Sequence, residues 1–307
     1  MPAPLPAAAF PRGAFRVRDL AASGVPASRT RHPRLLRPTR GLRATEAFAD
    51  VVERALGFAA VLPSDVAFSH VTAAVLHGLP LPSDLAGATL LHVMRDSART
   101  RVRRAGCRGH RGLERRGVTT VDGLRVTSPE DTWCDLGELL GPALTWTDLV
   151  VAGDAVVGRL PAGVATLSAV IDRRRAPRGA VTLQDAVAAV RPGVRSPMET
   201  RARLVVVGAG LPEPAVCAPV LDRAGTWLLE GDLVWHAQRV LAEYQGAVHA
   251  SRRRRSEDAQ RLGLARDEGW TVVELFAEDL LQRSRRVTTL LRLARELGAD
   301  PRSLRLE

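Results

Sequence analysis

Between Ser196 and Leu297 the apolar positions fall into short runs separated by Gly, Pro and charged residues, and each run predicts one element. SPMETRARLVVVGAG, starting at residue 196, predicts a helix with Ser196 at the N-cap, Pro197 in the first position and Glu199 three residues past the cap. Gly208 or Gly210 ends it, and Pro212 bars continuation. AVCAPVLD (215–222), TWLLEGDLVW (226–235) and VLAEYQG (240–246) predict three strands joined by DRAG and HAQR. SRRRRSEDAQRLGLARDEG (251–269) predicts a helix, WTVVELF (270–276) a fourth strand, and Ala277 to about Leu297 a closing helical segment. The order α-β-β-β-α-β-α implies a sheet with helices on its faces.

The pattern upstream is more broken. AFSHVTAAVLHGLPLP (67–82) predicts a helix from about Ser69 to Gly78, ATLLHVMR (88–95) a strand, and SARTRVRRAGCRGHRGLERRG (97–117) a basic hairpin or loop. In LRVTSPEDTWCDLGELL (124–140), Ser128 is the N-cap and Trp133, Leu136, Leu139 and Leu140 share a helical face. Residues 1–45 read as a basic, winged-helix-like segment. It has a short helix through Asp19–Ser23, a second helical piece near Ser28–Pro33, and a strand, turn and strand in LLRPTRGLRA. Residues 46–190 then form an α+β middle domain and 195–300 a third domain, with the boundary in RPGVR (191–195). The fold class is α/β in the broad sense and α+β in detail.

Composition adds a bias and a charge. The chain has no Lys or Asn and a single Ile, so all 44 basic residues are Arg. Those missing residue types have AT-rich codons, so a GC-rich genome accounts for part of the Arg excess. A net charge of +11 nonetheless attracts polyanions, and Arg forks match phosphate oxygens bidentately. Cys107, Cys134 and Cys217 are too scattered for a zinc site or a disulfide framework, which fits a reducing cytoplasm. The start MPAPLPAAAFPRG is a poor signal peptide, and no apolar run reaches the 18 residues of a membrane span.

The chemistry is concentrated in LAEYQGAVH (241–249), which holds the only Tyr of the chain, Tyr244, next to Glu243. Alternation along a strand puts Glu243 and Gln245 on one face and Tyr244 on the other, packed under a helix. If HAQR is a four-residue loop, Trp235 pairs with Val240 and Asp232 falls opposite Glu243, with Cβ atoms about 4.5–5.5 Å apart. Two facing carboxylates repel, and a hard divalent cation between them removes the conflict. A one-residue slip sends the two acids to opposite faces.

Asp232 followed by Glu243-x-Gln245 in this element order resembles the PD-(D/E)xK nuclease superfamily. The string SPMETRAR, GLPEP, GDLVW, LAEYQG, His249, Asp258, Arg261 and GWTVVEL resembles its very-short-patch-repair (Vsr-like) branch over about residues 195–297. SHVTAAVLHGLPLP and VTSPEDTWCDL resemble actinobacterial proteins with an AbiEi-type antitoxin-like front half. The resemblance implies that Asp232 and Glu243 bind Mg2+ or Mn2+, that Glu199 completes the metal set, and that His249 takes part in proton transfer. Gln245 stands where the superfamily has Lys and where Vsr-like chains of this type have an acid. It can hold water but cannot act as a general base.

Two functions follow as expectations. One is a metal-dependent DNA endonuclease acting in repair or phage defence, with Asp232, Glu243, Gln245 and His249 as its chemistry. Phosphates would be held by Arg252, Arg253, Arg254 and Arg255 at a helix start and by Arg101, Arg103 and Arg104 in the basic loop. The other is a catalytically weak or inactive DNA-binding regulator of antitoxin type, with a toxin or defence-system protein as partner. Each residue also has a plain structural role open to it: Glu199 as a capping box with Ser196, and Asp258 with Arg261 as a helical ion pair. Ser69 beside His70 makes no triad without a placed acid and an oxyanion hole. GDAVVG (153–158) and VVVGAG (205–210) are not dinucleotide fingerprints.

Overall fold

The computed structural model describes residues 10, 13–22, 26, 28–161, 163–174, 177–246 and 252–306, with the backbone alone for 252–258. The chain is a mixed α+β protein. Among the described residues the strands form three sheets of two, five and four strands. The chain divides into two compact units, residues 1–152 with 165–185, and residues 153–164 with 186–307. The expected segments 1–45 and 46–190 fall in the first unit, except for 153–164 and 186–190.

In the first unit, Ala14–Arg16 pairs antiparallel with Leu42–Ala44 and is followed by a helix, Val17–Ala22. The expected strand–turn–strand in LLRPTRGLRA is reduced to a single bridge between Leu36 and Ala44, because Leu42–Ala44 takes Ala14–Arg16 as its partner instead. The five-stranded sheet runs Cys107–Arg111, Leu91–Arg95, Ala67–Phe68, Leu124–Thr127, Val118–Val121. Asp122 and Gly123, both at positive φ, make the two-residue turn that joins the last two strands as a hairpin. The basic stretch 97–117 is not a hairpin: its first part is a loop that leads into the strand Cys107–Arg111, which runs parallel to Leu91–Arg95. Val51, Ala55, Phe58, Leu76, Leu91, Val93 and Val126 form the core between this sheet and the helices Val51–Ala59 and His70–Leu76.

Ser128 caps the helix Pro129–Leu136 by accepting from the Asp131 amide. Trp133 and Leu136 are buried on it, but the helix stops there; Leu139 ends a 3-10 turn and Leu140 lies beyond it.

The second unit keeps the expected order: helix Pro197–Gly208, strands Ala215–Leu221, Trp227–Trp235 and Val240–Tyr244, helix Arg252–Asp267, strand Thr271–Leu275, then helices Ala277–Leu281 and Arg283–Glu296. The first three strands are antiparallel in sequence order, and Thr271–Leu275 joins parallel to Val240–Tyr244. One sheet face buries Leu233, Trp235, Val240, Ala242 and Leu275 with Ala202, Val206, Leu290 and Leu293. The other buries Val220, Leu229, Val234, Leu241 and Val272 with Leu262 and Ala265.

The Pro197–Gly208 helix is anchored from within. Arg203, fully buried, meets Asp154 at 3.0 Å, and Asp154 also accepts from the Thr200 hydroxyl (2.8 Å) and the Arg191 amide (2.7 Å).

Gly231 is the tightest point of the sheet. A β-carbon there would run into Leu241 Cδ1 and crowd Val234 Cγ2, both in the buried core. Gly231→Ala is therefore expected to destabilise the second unit by about 1–3 kcal/mol through overpacking. Thermal unfolding followed by tryptophan fluorescence measures this, and an unchanged midpoint would contradict it.

Candidate active site

The register places Val240 opposite Trp235, Leu241 opposite Val234 and Ala242 opposite Leu233, so the next pair is Glu243 with Asp232. Here the carboxylates take over bonding to the backbone. Glu243 Oε1 accepts from the Asp232 amide at 3.3 Å, and Asp232 Oδ2 accepts from the Tyr244 amide at 2.8 Å.

Strict alternation fails at this point. Leu233 and Trp235 belong to one face, yet a β-carbon on Gly231, two residues earlier, would meet Leu241, Val234 and Val220 of the other face. The neighbouring strand changes phase at the same level. Val216 packs against the first face, Ala218 belongs to the second, and Cys217 between them has a left-handed backbone with φ +44°. Such a conformation costs a non-glycine residue on the order of 1–3 kcal/mol and tends to sit at functional sites. Asp232 is therefore at the turning point of the strand, and both acids open into the same cleft.

That cleft, about 360 Å3 in volume, is lined by Glu199, Asp232, Glu243, Gln245 and Arg261 among others. Burial pushes the Asp232 carboxyl up to about 6, further raised by Glu199 and opposed by the Tyr244 amide and Arg195. Burial, then the charge of Asp232, pushes Glu243 up to about 8, with Arg261 working the other way. Two half-buried acids at this spacing resist ionising together.

Glu199 is buried at the helix start. Its Oε2 accepts from the Arg195 amide at 2.9 Å and from the Cys217 thiol at 3.2 Å, while Ser196 Oγ accepts from the Glu199 amide. The expected cap is present, although Glu199 reaches the residue before the cap rather than Ser196 itself. Burial and Glu199 push the Cys217 thiol up to about 11. Tyr244 packs against the core that holds the Pro197–Gly208 helix and also borders the cleft beside Glu243.

The remaining predicted residues divide. His249 lies outside the described residues, as do the side chains of Arg252–Arg255 and Asp258. Arg101 and Arg103 are exposed. Arg104 differs from expectation: its guanidinium donates to the carbonyls of Arg40 (2.6 Å) and Val61 (2.9 Å), so it ties loops together instead of offering a free fork to phosphate.

Among the described residues, two groups of three possible metal ligands have atoms that all lie within 4.8 Å of one another, and neither contains Asp232 or Glu243. They are His70 with His92 and His110, and His70 with Asp135 and Glu138, all in the first unit. Sequence spacing misses them because they come from two helices, two strands and a 3-10 turn. The only signal was a buried-looking His inside apolar runs, as in LLHVMR.

No family model matches the chain. It is 26% identical over 228 residues to the uncharacterized protein Rv2248 of Mycobacterium tuberculosis strain ATCC 25618 / H37Rv. It is equally similar to the uncharacterized protein MT2308 of strain CDC 1551 / Oshkosh, and the match covers 74% of this chain and 79% of each relative. Among solved structures it is similar to the RV2827C protein from Mycobacterium tuberculosis, with 16% identity and a TM-score of 0.39 over 74% of this chain and 84% of that one.

Proposed function

We propose that the second unit is a metal-dependent DNA endonuclease domain of PD-(D/E)xK type, resembling the Vsr-like branch, and that Asp232 and Glu243 hold Mg2+ or Mn2+. The observation that carries this reading is the Asp232–Glu243 pair: opposed across two strands, raised to about 6 and about 8, and open to one cleft. Hard cations take oxygen ligands, and such a pair gains more from a cation than separate acids would. A bound Mg2+ supplies Lewis-acid polarisation of the scissile phosphate and a lower pKa for its water.

The chain's own residues do the rest. Asp232 and Glu243 give up any proton they hold when the cation binds. Glu199 is held by the Arg195 amide and the Cys217 thiol, so its contribution is to fix one wall of the cleft. Gln245, anchored by its amide to the Leu275 carbonyl at 2.7 Å, orients water without taking its proton. Arg261 faces the same cleft and counters phosphate charge. Exposed Arg101 and Arg103 suit backbone contacts that carry no base information. The setting that suits DNA and three unpaired cysteines is the cytoplasm.

A second reading is favoured by Gln245: the amide in place of Lys or an acid supports a DNA-binding regulator of antitoxin type without hydrolysis, partnered by a toxin or defence-system protein. Supercoiled plasmid incubated with Mg2+, Mn2+ or EDTA separates the two. Nicking by wild type but not by Asp232→Ala or Glu243→Ala fits the nuclease. Retarded but intact plasmid with all three proteins removes it and leaves the regulator.

A further inference from the structure

We propose that His70, His92 and His110, with Glu138 beside them, form a binding site for one divalent transition-metal ion of the zinc class in the first unit. The proposal is independent of the nuclease reading. It rests on different residues, and imidazole ligands select a different metal from the hard cation of the acid pair.

Three segments converge on the cluster. His70 opens the helix His70–Leu76, His92 is on the strand Leu91–Arg95, and His110 is on the strand Cys107–Arg111. The two strands are parallel, with His92 opposite Arg108 and Met94 opposite His110. The two histidines are thus diagonal neighbours, two residues apart along the strand and therefore on one face. His92 Nδ1 and His110 Nε2 are 3.2 Å apart. Two nitrogens on a tetrahedral zinc at about 2.0–2.1 Å each are separated by about 3.3 Å, so this pair is already at bite distance. The His70 ring stacks on His110 with centroids 3.8 Å apart. One ring nitrogen of each of the three lies within 4.8 Å of those of the other two, and χ2 of an imidazole is a soft torsion about which the rings can turn toward a common ion.

His70 is the most deeply buried ring of the three, and its Nε2 faces Glu138. It is completely buried, and its Nε2 makes no hydrogen bond. That atom lies 3.5 Å from Glu138 Oε2, an ion-pair distance too long for a good hydrogen bond. Its other nitrogen, Nδ1, is 3.0 Å from Ser69 Oγ, which can accept the Nδ1 proton and so leave the Nε2 lone pair for an ion. The backbone of His70 is left-handed, φ +50°, a strain the fold sustains at this one position of the cluster.

Two of the three rings are held neutral by their surroundings. Burial first, then neighbouring His70, pushes His92 down to about 4 and His110 down to about 3, so both are neutral near pH 7 and lose no proton on binding. The His70 contact holds the Glu138 carboxyl down at about 2, so it contributes a full negative charge. Asp135 is already paired with Arg116 and Arg174 and remains an outer neighbour.

The test uses the full chain, stripped with a chelator and titrated with Zn2+ by calorimetry and with Co2+ by visible absorption. The expected result is one equivalent bound at this site, with the intense d–d bands of four-coordinate Co2+. His110→Gln and His92→Gln are expected to weaken binding by at least about 100-fold, and Ser69→Ala by about 10-fold. Asp232→Asn leaves the Co2+ spectrum unchanged. Far-UV circular dichroism checks that each variant is folded. The proposal is overturned if folded wild type takes up no Zn2+ or Co2+ at micromolar concentration, if the bands survive in both His variants, or if Asp232→Asn abolishes them.

Discussion

Asp232→Asn and Glu243→Gln are each expected to reduce Mg2+-dependent plasmid cleavage by at least about 100-fold while raising the thermal midpoint of the metal-free protein. The first effect follows from removing a ligand that positions the cation and stabilises developing charge. The second follows from the crowding that makes the site useful. The folded-state values, about 6 for Asp232 and about 8 for Glu243, lie above the ordinary carboxylate values near 3.9 and 4.3. The folded form therefore binds protons more tightly than the unfolded form. Its stability is highest below about pH 4 for this pair and declines as pH rises through about 6 and then 8. Glu243→Gln removes the later part of that decline, and saturating Mg2+ suppresses it in wild type. Each kcal/mol recovered raises the midpoint by about 2–4 °C in a unit of this size. Asn at 232 can still accept from the Tyr244 amide, so the backbone arrangement is preserved. Unchanged cleavage in either variant would defeat the nuclease reading. A lower metal-free midpoint for Glu243→Gln would show that the pair is not under electrostatic strain.

Arg174→Ala is expected to cost the first unit about 3–5 kcal/mol, the order of the penalty for removing one partner from a buried ionic network. Arg174 meets Asp131 and Asp135 at 2.6 Å each, and both carboxylates are fully buried. Burial opposes the charge on Arg174, but Asp135, Asp131 and the other groups around it hold the guanidinium more firmly protonated than usual. Arg173 reaches Asp131 at 2.7 Å and Arg116 reaches Asp135 at 2.9 Å, yet both lie nearer the surface. Removing Arg174 leaves two fully buried acids on the Pro129–Leu136 helix compensated only by Arg173 and Arg116, which lie nearer the surface. Denaturant unfolding should show the transition of the first unit moving to lower concentration with that of the second unchanged. The combined variant Arg174→Met, Asp131→Asn, Asp135→Asn should recover most of the loss, since the pairing rather than its net worth is at stake. A loss below about 1 kcal/mol for Arg174→Ala would mean that water reaches these acids.

Local rules carried the sequence reading a long way. The four-residue HAQR connection implies Trp235 opposite Val240, and the sheet has that register. Ser196 and Ser128 are read as caps, and both accept from the amide three residues on, because capping chemistry is local. What was lost depends on distant partners. Period-two alternation places Asp232 and Glu243 on one face, whereas Asp232 is where the strand changes phase, under the influence of Cys217 on its neighbour. The helix Trp146–Val157 is not legible in the sequence, because DLVVAGDAVVG is apolar at nearly every position and leaves no stripe to follow. Arg104 looked like its exposed neighbours Arg101 and Arg103; only the fold brings the carbonyls of Arg40 and Val61 to it. The histidine cluster is of the same kind: no spacing rule joins positions 70, 92 and 110 until a parallel pair of strands does so.

The amides of Asp232 and Tyr244 donate to carboxylate oxygens instead of to carbonyls of the ladder. Their proton resonances are thus coupled directly to the charge on those acids. In a nitrogen-15 spectrum these two backbone signals become internal gauges of occupancy, shifting with each cation or proton that reaches the pair, with no extrinsic probe attached to the chain.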